Sequence, residues 1–144
     1  MTKTFFILFF VISFTSFSQN WITDFEVAKE IAIEKNQNIV LVFQGSDWCS
    51  PCIKLDKEIF STPEFQNLSK DHFVMLQADF PRRKANKLSK ALTEQNNGLA
   101  AKYNNKGYFP LVVVLDKSGT VLGKIGYEKS KPESYFNKLK AFEI

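Results

Sequence analysis

The stretch Ile39-Val40-Leu41-Val42-Phe43-Gln44-Gly45-Ser46-Asp47-Trp48-Cys49-Ser50-Pro51-Cys52 decides how this chain is read. Its first five residues are an unbroken apolar run, the pattern of a strand buried on both faces of a sheet. A short loop follows, and a Cys-x-x-Cys pair then opens a segment with Leu55, Ile59 and Phe60 at helical spacing. Pro51 suits the first turn of that helix, where an amide has no intrahelical partner to lose. The first thiol therefore stands at a helix N-terminus, where free amides and the helix dipole favour an anion. The thiolate is the reactive form of cysteine, so Cys49 is expected to be a nucleophile near neutral pH. Cys52 lies one turn further on, close enough to close a disulfide.

The chain holds no other cysteine. A bridge across so short a loop removes little entropy from the unfolded chain, so a structural staple is a poor use of the only pair. A redox role is the better reading.

The 144 residues are enough for one domain with a proper core and too few for two. Apolar residues make up 44%, which places the chain among globular proteins. Six of the fifteen phenylalanines fall in the first eighteen residues. There Lys3 gives a positive start, residues 5–12 are unbroken apolar sequence, and Ser16 and Ser18 place small residues before a cleavage point. Residues 1–18 are read as a signal peptide and 19–144 as the mature domain, exported and most simply periplasmic. Removing Lys3 lowers the net charge from +4 to +3. The densest basic cluster, Arg82-Arg83-Lys84 with Lys87 and Lys90, has no interleaved aromatics and so is not a nucleic-acid footprint. It reads as an exposed helix face, with docking of an acidic partner as the alternative.

Along the chain, Thr23 with Glu26 suggests a capping box opening a helix over 24–35. Strands are expected over 39–44, 73–78, 111–115 and 120–125, the last two joined by the turn Asp116-Lys117-Ser118-Gly119. The Cys-x-x-Cys helix spans 49–60, with a helical turn over 63–68. A lysine-rich helix is expected over 82–95, broken at Asn96-Asn97-Gly98, with a further turn over 99–103. Pro132 opens a final helix whose Phe136, Leu139 and Phe142 form an apolar stripe. Strand–helix–strand requires a right-handed crossover and so a parallel pair, and the hairpin adds an antiparallel one.

This order resembles the thioredoxin superfamily over nearly all of residues 19–144. The markers are Trp48-Cys49-Ser50-Pro51-Cys52 after the first core strand and Phe109-Pro110 before the third. The exported thioredoxin-like proteins are the most similar subgroup, including the C-terminal domain of the transmembrane reductant carrier DsbD. That similarity runs through Ser46-Asp47-Trp48-Cys49, Cys52, Leu55-Asp56-Lys57, Phe60 and residues 73–78. The resemblance implies an α/β thioredoxin fold: a mixed four-stranded sheet, parallel βαβ plus antiparallel ββ, with helices on both faces. It also implies a cis bond before Pro110, with Trp48, Phe109 and Pro110 forming a substrate-binding rim. One position departs from the family: Phe43 stands where thioredoxins commonly carry a buried aspartate. Asp56, four residues after Cys52, is a candidate replacement proton acceptor. A solvent-facing Asp56 paired with a lysine is the equal alternative.

The expected chemistry is dithiol/disulfide exchange with protein or peptide disulfides, Cys49 attacking and Cys52 resolving. Ser50-Pro51 resembles the reducing Gly-Pro pattern, so a disulfide reductase is expected, with an oxidase or isomerase as the alternative. Its reductant would be a membrane electron-donor protein. No nucleotide-binding glycine pattern occurs, and no cofactor is expected. A non-catalytic binding factor is a further alternative. Zinc is disfavoured: the two cysteines and the only histidine, His72, make three ligands where structural sites use four.

Overall fold

The computed structural model describes residues 20–143; the signal-peptide expectation for 1–18 lies outside them. β1 (Asn38–Gln44) is the organising element. All five of its inner residues are buried, and it pairs parallel to β2 (Phe73–Asp79) and antiparallel to β3 (Leu111–Leu115). β3 pairs antiparallel to β4 (Val121–Ile125), giving the order β2-β1-β3-β4. β4, at the edge, is the one strand with exposed positions, which is why it alone mixes Gly and Lys with apolar residues.

Side chains alternate across the sheet, so β1 feeds two separate cores. Ile39, Leu41 and Phe43 pack with Ala28 and Ala32 of α1 (Phe25–Lys35) and with Leu99 and Tyr103 of α4 (Lys90–Tyr103). Val40 and Val42 pack on the other face with α2 (Ser50–Leu55), α3 (Pro63–Ser69) and α5 (Pro132–Ala141). That second core is largely aromatic. Phe60 meets Trp21, Phe65 and Tyr135 edge-on at 5.5, 5.1 and 5.9 Å between ring centres. The buried Tyr135 hydroxyl donates to Gly126 O at 3.0 Å, and burial pushes its pKa upward, aided by the charge of Glu128. Helices thus cover both faces of a mixed sheet, the architecture expected.

Four local expectations change. The cap of α1 is Asp24, whose carboxylate accepts from the amides of Glu26 and Val27, rather than Thr23. The 49–60 helix is α only to Leu55; Asp56–Phe60 is a π-turn, closed by Ser61 N–H donating to Asp56 O at 2.8 Å. The extra residue in that turn lets Leu55, Ile59 and Phe60 all reach the core.

The third and fourth changes concern the lysine-rich segment and Gly98. Residues 80–89 are not a helix face but a loop holding one 3₁₀ turn, Lys84–Asn86. α4 starts later, capped by Ser89, and runs through Asn96-Asn97-Gly98. Tertiary bonds override the weak propensity there. Gln95 accepts from Phe25 N–H and donates to Thr23 O, and buried Asn96 donates to Asp79 O.

Candidate functional site

β1 ends at Gln44, and Gly45 turns the chain toward α2. Its hydrogen side is filled by the Trp48 indole: a Cβ there would lie 2.2 Å from the ring. Only glycine lets Trp48 fold back this way. The indole N–H donates to Phe80 O at 2.7 Å. Two carboxylates fix the same loop. Asp79, at the end of β2, accepts from Ser46 N–H and Ser46 Oγ at 2.9 and 2.6 Å. Asp47 accepts from the amides of Arg82 and Arg83 at 2.9 Å each and from Asn86 Nδ2 at 3.0 Å. Those bonds, the Arg82 amide first, hold the Asp47 carboxyl well below its ordinary range, at about 2.

The loop delivers Cys49 to the N-cap of α2. Cys49 and Cys52 are joined in a disulfide with Cα atoms 5.2 Å apart, and both are almost wholly buried. Cys49 Sγ accepts from Cys52 N–H at 3.3 Å, so the first sulfur faces a backbone donor. The Phe109–Pro110 peptide bond is cis. Pro51, Tyr108, Phe109, Pro110 and Tyr127 line a groove of about 460 Å³ beside the pair. The Trp48 and Phe109 rings lie 5.5 Å apart, and Phe80 meets Phe109 edge-on at 5.4 Å. Trp48, Phe109 and Pro110 therefore come together around the cysteines.

Phe43 is fully buried on the α1–α4 face, stacked on Phe80 at 6.4 Å. It points away from α2, so a carboxylate at this position would not meet Cys52. The next residue, Gln44, lines a small cavity with Ser46, Cys52 and Asp56. Asp56 thus shares a cavity with Cys52. It is half-exposed and accepts from Ser61 Oγ at 3.1 Å. His72 pairs with Glu143 Oε2 at 2.6 Å and packs edge-on to Phe73 and Phe136, remote in the fold from the cysteines.

The sequence does not single out Tyr127 or Gln44 for the site, and it offers Arg82 only as part of an exposed basic cluster. Tyr127 lines the groove, and its hydroxyl donates to Glu58 Oε2 at 2.7 Å, which pushes its pKa upward. Pairing of Val112 with Ile125 carries Tyr127 toward Pro110, but a bulge between Val114 and Leu115 shifts the hairpin register and hides this from residue counting. Gln44 needed the strand's facing to be known. Arg82, whose guanidinium carbon lies 3.8 Å from the centre of the Trp48 ring, needed the path of the 80–89 loop.

The comparisons agree with this geometry. The thioredoxin-like family model matches residues 20–117. The disulfide bond reductase DsbH of Chlamydia pneumoniae is 33% identical over 114 residues, 79% of this chain and 67% of that protein. A solved DsbH oxidoreductase superposes with a TM-score of 0.80 at 28% identity, covering 96% of this chain and 94% of that one. The oxidised C-terminal domain of Neisseria meningitidis DsbD shares the fold, with a TM-score of 0.57 at 18% identity over 81% of this chain and 90% of that one. The chain belongs to the thioredoxin-like family, and its Cys49–Cys52 pair makes it a thiol–disulfide oxidoreductase.

Proposed function

We propose that this protein is an exported disulfide reductase that acts on protein or peptide disulfides. The observation that carries the proposal is the closed Cys49–Cys52 pair at the start of α2, beside an open apolar groove. In the reduced protein the Cys49 thiolate attacks one sulfur of the substrate disulfide. A mixed disulfide forms and the other substrate sulfur leaves as a thiolate. Cys52, deprotonated by Asp56 or by water, then attacks Cys49 Sγ and expels the second substrate thiolate. Two electrons and two protons pass to the substrate, and the Cys49–Cys52 bond closes. Trp48, Phe109 and Pro110 hold the substrate chain, whose backbone pairs with groups beside Pro110 as an added strand would.

The direction rests on Ser50-Pro51, which carries no histidine to stabilise the thiolate further, and on the reductase name of the Chlamydia relative. Return to the dithiol requires a reductant, assigned here to a membrane electron-donor protein. Residues 1–18 direct export to the periplasm and are removed, leaving 19–144 as the working domain.

The reduction potential of the Cys49–Cys52 couple tests the direction. A value of about −270 mV supports a reductase, whereas one of about −120 mV makes the protein an oxidant that inserts disulfides. Absence of a reversible couple gives first place to a non-catalytic binding factor. Cys52→Ser should accumulate a substrate mixed disulfide, and Cys49→Ser should form none.

A further inference from the structure

A second groove adjoins the aromatic rim through Phe80, which meets Phe109. It holds about 360 Å³ between the 80–89 loop and α4. Phe80 and Leu88 give it an apolar floor, and Arg82, Arg83, Lys84 and Lys87 rim it. All four cations are exposed, and none takes part in an ion pair among the described residues. The two nearby carboxylates form no close ion pair with these cations: Asp79 is held by Ser46, and Asp47 by backbone amides and Asn86, with the charge of Arg83 adding a weaker attraction. Those bonds fix the loop's backbone, so the four positive charges are presented from an ordered frame. The groove is also continuous with the redox site. Phe80 forms its floor and touches Phe109, which touches Trp48, on which Arg82 lies.

We propose that this groove docks an acidic polypeptide segment lying within a few residues of the cysteine that Cys49 attacks. The proposal rests on the exchange reading given above. Its support is charge complementarity: four exposed cations, none in a close ion pair with a carboxylate among the described residues, over an apolar floor suit a chain carrying Asp or Glu among apolar residues. The groove would raise the encounter rate and align the disulfide, effects that salt weakens.

The test uses the purified reduced protein and three synthetic peptides, each bearing one cysteine as its mixed disulfide with 2-mercaptoethanol. The peptides differ only at three flanking positions, which are Asp, Asn or Lys. Each rate is divided by that of dithiothreitol with the same peptide, which removes intrinsic thiol reactivity. The Asp peptide should exchange about tenfold faster than the Asn peptide, the cumulative size of several exposed charge pairs. The Lys peptide should be slowest, and the spread should vanish at about 1 M salt, where the screening length is about 3 Å. The triple variant Arg83→Gln/Lys84→Gln/Lys87→Gln should remove most of the Asp-peptide advantage while keeping the Asn-peptide rate; it leaves Arg82 on Trp48 untouched. Should that variant fail to fold, the single variants Lys84→Gln and Lys87→Gln decide in its place: each should lower the Asp-peptide preference about twofold, and an unchanged preference in both overturns the proposal. Equal rates for the Asp and Asn peptides at low salt overturn the groove proposal but leave the exchange reading standing. So does a single-stranded oligonucleotide that competes better than the free acidic peptide, which would make the groove a nucleic-acid face. Failure to exchange with any peptide removes the exchange reading itself, and the groove's role with it.

Discussion

Arg82 stacks on Trp48 because Asp47 holds its backbone in place. The guanidinium carbon lies 3.8 Å from the centre of the indole ring, and the Arg82 amide donates to Asp47 Oδ1 at 2.9 Å. The residue before the first cysteine is thus covered by a cation that the residue before it, in turn, positions. This brings Arg82, alone among the cations of the 80–89 loop, to the edge of the redox site, although it contributes no sulfur chemistry.

The first prediction concerns pH. Asp47 has its carboxyl lowered from 3.8 to about 2 in the folded chain, chiefly by the Arg82 amide, then by Asn86 and the Arg83 amide. A carboxyl whose folded pKa lies below its unfolded one stabilises the fold above the unfolded value. That contribution is lost as pH falls through the window between them. The loop should therefore stay docked down to about pH 4 and release between about pH 4 and 2. Trp48 fluorescence in a Trp21→Phe background reads this directly. The transition should be present in the parent and missing in Asp47→Ala, where the loop is loosened at every pH.

Two glycines should respond to alanine with opposite signs. Gly98 lies inside α4, and a Cβ there meets nothing within 4 Å. Gly98→Ala should stabilise the fold by about 1 kcal/mol, the helix-propensity difference, raising Tm by about 3 °C. Gly123 lies on β4 beneath Phe142, and its Cβ would stand 2.2 Å from the ring. Gly123→Ala should cost about 1–3 kcal/mol by overpacking. Adding Phe142→Ala should recover part of that loss, a coupling that thermal melts of the double mutant reveal.

Much of this was legible in the sequence, and the reasons are local. The all-apolar runs at 39–43 and 111–115 could only be central strands, and both lie wholly buried in the sheet. The meeting of Cys49 with Cys52 follows from helical spacing alone. What failed were features set by tertiary bonds. Asn96-Asn97-Gly98 reads as a helix stop, yet Gln95 is held by the first amide of α1 and by Thr23 O, and Asn96 by Asp79 O, all far away in the chain. The basic run 82–87 reads as a helix face by propensity, yet Asp47, 35 residues earlier, takes its amides and bends it into a loop. Pattern carries the period of an element and says little about which distant acceptor will claim its amides.

The aromatic core makes a stability prediction. Phe60 is fully buried at the end of the π-turn and touches three other rings. Phe60→Ala should cost about 3–5 kcal/mol in urea unfolding through cavity formation. Tyr135→Phe keeps the ring and loses only the bond to Gly126 O, so it should cost about 1 kcal/mol. Equal losses in the two variants would mean that the hydroxyl, rather than the packed rings, organises this face.

The last prediction separates two roles for Asp56. Its carboxylate shares a cavity with Cys52, Gln44 and Ser46, and it also accepts from Ser61 Oγ. If it takes the proton of Cys52, its removal should slow only the second step, release of the mixed disulfide. The expected loss in Asp56→Ala is about tenfold at neutral pH, below the usual range for general bases because solvent offers the half-exposed site a second route. The loss should fade above about pH 8.5, where a thiol ionises unaided. Gln44→Leu should slow the same step by making the cavity apolar while leaving the carboxylate in place. Ser61→Ala tests the opposing role: if Asp56 merely caps the π-turn through Ser61, this variant and Asp56→Ala should lose similar stability and neither should change the release rate. Single-turnover chases of a preformed mixed disulfide, run across pH beside urea unfolding, tell the two apart. Unchanged release in Asp56→Ala at neutral pH assigns proton transfer to water alone.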